Sequence, residues 1–144
     1  MKVKIQYVES PGEELALIRT QALTDSVKSA AEILESDSRM IPVLEEGSTV
    51  MCRTGRIYYA ESVDKRTFVY TRDRCYESRA RLYELEEQLG SGFFRCAKAM
   101  IVNIRKIRSV RGEINGRMQA ELLNGEKIMI SRGYVKDLKD KLGV

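Results

Sequence analysis

GFFRCAKAMIVNIRKIRSV, residues 92–110, is the stretch on which the reading of this chain turns. Its apolar residues, Phe93, Phe94, Met100, Ile101, Val102, Ile104, Ile107 and Val110, read as buried strand. Arg95, Lys98, Arg105, Lys106 and Arg108 run through the same stretch, Arg111 follows, and no acid interrupts them. Alternate side chains of a strand face opposite ways, so Phe94, Met100, Val102 and Ile104 are expected to face a core. Residues near Cys96–Ala99 are expected to project outward at a turn. A core strand flanked only by cations points to an anionic partner.

Working outward, the pattern is β from Ile41 onward. Short runs at Ile41–Leu44, Thr49–Arg53, Ile57–Glu61, Thr67–Thr71 and Cys75–Ser78 are separated by turn residues at Glu46-Gly47, Thr54-Gly55 and Val63-Asp64. Leu82–Leu89 reads as a short helix, with Leu82, Leu85 and Leu89 on one face, Glu84, Glu86 and Glu87 outside, and Gly90-Ser91-Gly92 as its stop. Two hairpins follow the quoted stretch. Asn115-Gly116 joins Arg108–Glu113 to Arg117–Leu123, and Asn124-Gly125 joins that strand to Lys127–Ser131. Asn-Gly between extended runs favours a two-residue turn with positive φ at both central positions. The chain closes on an amphipathic helix, about Tyr134 to Leu142.

The first 39 residues differ in kind. Val3, Ile5 and Tyr7 alternate with Lys2, Lys4 and Gln6 and predict a half-buried strand over Lys2–Glu9, broken by Pro11-Gly12. Glu13–Ile18 fits either a short helix or a turn. TDSVKSAAEILE predicts a helix with Val27, Ala30, Ala31 and Leu34 on one face and Thr24 or Asp25 as its cap. Ser36–Arg39 looks linker-like. The expected organisation is residues 1–39 as a β-α dimerisation or docking segment and residues 40–144 as the principal domain.

The chain has 144 residues, enough for one domain that buries about 70% of its unfolded surface. With 43% hydrophobic and 32% charged residues it reads as soluble and ordered rather than disordered. No apolar run is long enough to span a membrane, and MKVKIQYVESPGEE has no apolar core of a signal peptide. Cys52, Cys75 and Cys96 make an odd set without CxxC spacing, which suits reduced thiols in a cytoplasm. Histidine is absent, which removes the commonest general base and metal ligand and every Ser-His or Cys-His pair. With no carboxylate cluster at a suggestive spacing, the chain is not expected to be an enzyme or to hold a metal, a cofactor or a small-molecule substrate. Charge is uneven: residues 1–45 carry a net −3 and residues 46–144 a net +7. The asymmetry fits either an anionic partner for the body or Lys and Arg that simply keep its surface soluble.

Three motifs in order now resemble one family. GRIYYAES is similar to a strand of the LytTR DNA-binding domain. LYELEEQL followed by GFFRCAKAMIVNIRKI resembles its short helix and its "FxR…VN…I" signature. ELLNGEKIMISRGYVKDLKDKL resembles its "L.dG..ipVSR.y" ending. The resemblance covers about the last hundred residues. It implies a mainly β protein with short helices, an elongated antiparallel LytTR-type fold preceded here by a short β-α segment. It also implies a bacterial transcription regulator whose loops enter successive major grooves of double-stranded DNA. Many members carry a receiver domain ahead of this one. With about forty residues before the β region, no such domain and no phosphoacceptor aspartate are expected here.

The resemblance assigns candidate DNA contacts. Lys98 and Ser131-Arg132 fall at matched contact positions, and Lys65, Arg66 and Thr67 lie in the loop after AES where the family places another contact. Arg95 and Arg105 complete the set. The family's His-Arg-Ser is replaced by Ala97-Lys98-Ala99, so base preference should differ while backbone affinity persists. Arginine is the best reader of guanine, and each phosphate contact releases counterions. For Arg105, Lys106, Arg108 or Arg111 taken singly, a solvated surface residue is the better reading. Asn103 is better read as tying down a turn than as a DNA contact. Cys96, beside Arg95 and Lys98, could be a thiolate-prone sensor, but a buried small residue is the better reading. Tyr58 and Tyr59 are expected one in and one out. The alternative function is a β-rich interaction module whose basic surface meets an acidic or membrane-protein partner. A homodimer and a membrane-protein partner are both open to the short form of the family.

Overall fold

The computed structural model describes residues 1–37 and 39–144. The chain divides into two compact units, Met1–Glu35 and Ser36–Val144.

The first unit holds a 3-10 turn at Pro11–Glu13 and most of helix α1, Asp25–Asp37. Thr24 caps the helix, its Oγ1 accepting from the Val27 N–H at 3.3 Å. The strand expected over Lys2–Glu9 is not formed. Val3, Ile5 and Tyr7 are 83%, 80% and 94% exposed. Alternation prepares a strand but cannot complete one, because the ladder needs a second backbone. Over Glu13–Ile18, Glu13 closes the 3-10 turn and residues 14–18 form neither a helix nor a turn. Where a linker was expected, α1 continues through Ser36 and Asp37, and Ser38 lies outside the described residues.

The strand pairings of the second unit are all antiparallel among its described residues. Its strands are β1 (Met40–Glu45), β2 (Ser48–Arg53), β3 (Tyr59–Val63), β4 (Arg66–Tyr70), β5 (Cys75–Ser78), β6 (Phe93–Ala97), β7 (Met100–Asn103), β8 (Ile107–Gly112), β9 (Met118–Leu122) and β10 (Lys127–Ile130). Helix α2 spans Leu82–Leu89 and α3 spans Val135–Leu142. Seven strands form one sheet in the order β2-β1-β5-β4-β3-β7-β6, and β10-β9-β8 form a second.

The central strands are apolar on both faces because both faces are covered. Ala60, Val69 and Ile101 pack with Leu82, Leu85 and Leu89 of α2. Tyr59, Phe94 and Val102 pack with Met118, Ala120, Leu122 and Ile130 of the second sheet and with Leu138 of α3. Each fully buried Val, Leu, Ile, Phe or Met side chain among them contributes about 1.5–3 kcal/mol. Phe94, Met100, Val102 and Ile104 all belong to the second cluster, as their alternation required. Tyr58 and Tyr59 are both buried, which corrects the in-and-out reading. Tyr58 precedes β3, where strict alternation does not hold, and its backbone bonds Tyr70 and Asn103 on either side. Tyr59 stacks on Tyr70 with centroids 4.3 Å apart, and its hydroxyl donates to Glu126 at 2.8 Å, joining the two sheets.

Both Asn-Gly hairpins form, with a different turn. Glu113 N–H bonds Arg117 O at 2.8 Å, and Leu122 N–H bonds Glu126 O at 2.8 Å, so each loop has three residues. Only the glycine is left-handed, at φ 82° for Gly116 and 90° for Gly125. This is the pattern in which an αL glycine follows a tight turn. Positive φ at two successive residues occurs instead at Glu46-Gly47 and at Asp64-Lys65.

Candidate nucleic-acid interface

Register collects the turns. The β3–β4 hairpin closes through Asp64-Lys65, since Val63 faces Arg66. Glu61 faces Met100, and the Ser62 N–H donates to Ala99 O at 2.9 Å. The Lys98-Ala99 turn between β6 and β7 therefore lies beside Asp64-Lys65. The Ser131 N–H donates to Cys96 O at 2.9 Å, which brings the segment after β10 to this end of β6. The β8–β9 turn folds onto the Arg132 stem: a Cβ built on Gly116 would stand 2.9 Å from Arg132 Cδ. Gly116 is favoured by its φ of 82°, while the exposed Arg132 side chain could swing aside from a larger residue. Thr67 faces Ser78, so Arg79 just beyond β5 also falls at this end.

The expected contact residues differ in what their side chains are doing. Lys98 and Arg132 are exposed and make no side-chain hydrogen bond or ion pair among the described residues. Lys65 is exposed at the tip of its turn with φ 65°, next to Asp64 with φ 51°. Left-handed backbone costs an L-residue about 1–2 kcal/mol, and such strain clusters at functional sites. Ser131 is half-buried, and its carbonyl accepts from the Tyr134 N–H at 2.9 Å. Arg66 is held by both oxygens of Glu77 at 2.7 and 3.0 Å, and that hydrogen-bonded pairing keeps the Glu77 carboxyl below its ordinary value. Thr67 is 5% exposed, so it does not share the surface with Lys65 and Arg66. Arg95 spans the turn from below: Nε donates to Ala97 O at 3.0 Å, Nη2 donates to Lys98 O, and Nη1 pairs with Glu86 at 2.8 Å. Its guanidinium shapes the loop that presents Lys98.

Arg105 does not join this group, contrary to expectation. It sits in the 3-10 turn Ile104–Lys106 after β7, beside Gly92. That is the far end of β7 from Lys98, about five strand residues or roughly 16 Å away. Two exposed cations were missed. Arg79 follows β5 at the same end as Lys65, and Arg117 lines a groove of about 360 Å³ with Asn115, Met129, Ser131 and Arg132. No motif marks either residue, and only strand register brings them near Lys98.

Asn103 anchors the other end. Its side chain accepts from the Arg105 N–H at 3.1 Å and donates to Ile57 O at 2.8 Å, with the residue 3% exposed. Asn103→Ala is expected to lower stability by about 1–3 kcal/mol, because a buried carbonyl loses its donor. Urea unfolding at an unchanged m-value checks this; a midpoint equal to the parent's would contradict it.

Cys96 is fully buried, and burial pushes its thiol up to about 12, despite Arg95 nearby. That is opposite to a thiolate-prone sensor. Cys52 is buried and Cys75 exposed. Native protein is expected to take up iodoacetamide at Cys75 alone and unfolded protein at all three cysteines, read by mass. Rapid native labelling of Cys96 would contradict the packing.

No helix among the described residues is long and apolar enough to cross a membrane. Among the same residues no group of three or more His, Cys, Asp or Glu could hold a metal ion.

The family model for the LytTr DNA-binding domain matches residues 47–143. The chain is 34% identical to an HTH-type transcriptional regulator of Staphylococcus aureus strain bovine RF122, covering 100% of this chain and 99% of that one. It is 31% identical to the transcriptional regulatory protein YpdB of Escherichia coli K12 over 83% of this chain, and 25% identical to the sensory transduction protein LytT of Enterococcus faecalis over 96%. It spans only 49% of the length of YpdB and 60% of LytT. A solved LytTr DNA-binding domain from Bacillus cereus aligns with a TM-score of 0.70 at 22% identity, over 74% of this chain and 99% of that one, a likeness of fold.

Proposed function

The chain belongs to the LytTr DNA-binding domain family, and we propose that it regulates transcription by binding double-stranded DNA sequence-specifically, through turns that enter successive major grooves. DNA binding and transcription regulation follow from the family and from the regulators it resembles. Three turns would carry the contacts: Lys65 in the first, Lys98 in the second, and Ser131-Arg132 in the third. The observation that supports this is their shared end of the sheet, where Lys98 and Arg132 stand exposed and unpaired among the described residues.

Arginine at position 132 would read guanine, because its fork matches O6 and N7. Lys65, Lys98, Arg79 and Arg117 would neutralise phosphates. Arg95 would act as a positioning residue for Lys98. Among the described residues, α2 and α3 of the second unit are separated in sequence by five strands, which supports reading by turns rather than by a helix-turn-helix. Acting on DNA would place the protein in the bacterial cytoplasm.

The test is selection of duplexes from a random pool, followed by competition. The selected duplex is expected to outcompete random duplex by about 10³-fold or more. No enrichment, or equal competition by random duplex, would leave the basic surface to a protein partner instead.

A further inference from the structure

A second set of cations converges away from Lys65 and Lys98. Arg53 ends β2, Arg56 lies in the 3-10 turn Thr54–Arg56, Arg72 lies in the β4–β5 loop, and Lys106 follows β7. All four line one groove of about 590 Å³, with Met51 and Tyr76 among its apolar lining. Arg72 and Lys106 follow the ends of β4 and β7 opposite to Lys65 and Lys98. The groove is therefore not the surface assigned to DNA above.

The backbone that carries these cations is fixed. Thr54 is 1% exposed and its N–H donates to Arg39 O at 3.0 Å. The Thr71 N–H donates to Arg74 O at 2.9 Å, and Asn124 Nδ2 donates to Arg72 O at 3.0 Å. The Asn103 side chain caps the turn that bears Lys106. The charge is largely uncompensated. Arg74 in the same lining is paired with Glu45 at 3.0 Å, and Lys106 lies over the Tyr58 ring at 5.2 Å. Arg53, Arg56 and Arg72 make no side-chain hydrogen bond or ion pair among the described residues, and Asp73 is the one acid in the lining.

We propose that this groove binds a phosphate ester with an apolar body, about the size of a nucleoside diphosphate. Its volume is in the range of about 300–1,000 Å³ typical of small-ligand sites. Guanidinium groups bind phosphate bidentately, and a doubly charged phosphate satisfies several of them at once. Met51, 58% exposed, is an adaptable apolar surface for the rest of the molecule. An acidic peptide would use the same charges in this open groove, so hexaglutamate stands as the competing occupant in the test.

The test is calorimetric titration of the full chain with ADP, pyrophosphate, adenosine and hexaglutamate. ADP is expected to bind about tenfold more tightly than pyrophosphate, and adenosine and hexaglutamate more weakly still. The variant R53A/R72A, with parental circular dichroism, is expected to weaken ADP binding about tenfold or more while duplex affinity stays within about twofold. K98A should leave ADP binding unchanged. The proposal is overturned if ADP fails to bind at about 1 mM, if R53A/R72A binds it like the parent, or if hexaglutamate binds as tightly as ADP. A matching loss of duplex affinity in R53A/R72A would also overturn it, by giving the groove to DNA.

Discussion

Arg132→Ala and Lys98→Ala are each expected to weaken binding to the selected duplex by about 1–3 kcal/mol, or roughly five- to 150-fold. Both side chains are exposed, so neither change should alter stability by more than about 0.5 kcal/mol. The two differ in kind. Loss of a base-reading arginine should relax preference at one position, which selection repeated with R132A would read. Loss of a phosphate contact at Lys98 should weaken all duplexes alike and lower the salt slope by about one. If the sites act independently, the double variant loses the sum, about 2–6 kcal/mol. Arg105→Ala is the comparison. Its place beyond β7 predicts no change in base preference. Parental affinity in both K98A and R132A would remove these residues from the interface.

Deletion of residues 1–35 is expected to reduce affinity for paired half-sites by about 10²–10⁴ while leaving binding to a single half-site in place. This prediction rests on proposing that the first unit pairs with that of a second copy. Val3, Ile5, Tyr7, Leu15, Leu17 and Leu23 are all exposed, and within the first unit the alternating stretch Lys2–Glu9 has no partner strand among the described residues. An extended apolar segment lacking a ladder is a template for another strand. Two linked domains turn the second binding event into an intramolecular one, so the avidity depends on the link. Cutting after Glu35 keeps Arg39, whose carbonyl receives the Thr54 N–H. Sedimentation should find the full chain dimeric and the truncated chain monomeric at micromolar concentration. Ile5→Asp in the full chain should have the same effect without removing any residue. A monomeric full chain, or a dimeric truncated one, would sink the pairing.

Much of the fold was legible because its signals are local. Leu82, Leu85 and Leu89 at helical spacing defined α2, and Cys75–Ser78 was read at its observed bounds. Both Asn-Gly pairs marked real reversals, although a third loop residue changed the turn type. The strand at Lys2–Glu9 failed for the opposite reason. Its alternation is as clean as that of the core strands, but a strand exists only with a neighbour, and the neighbour is not written in the strand.

The candidate site divides along the same line. Residue type and motif pointed to Lys98 and Ser131-Arg132, and periodicity put the cations of residues 92–111 beside a core strand. Pairing alone then decided the grouping. It placed Lys65 beside Lys98, buried Thr67 between two strands, and gave Arg66 to Glu77. It carried Arg105 to the opposite end of β7 and brought in Arg79 and Arg117, which no motif marks. Periodicity and turn chemistry act over a few bonds, so the chain determines them by itself. Which turns share an end depends on register between strands tens of residues apart, and only the assembled sheet sets that.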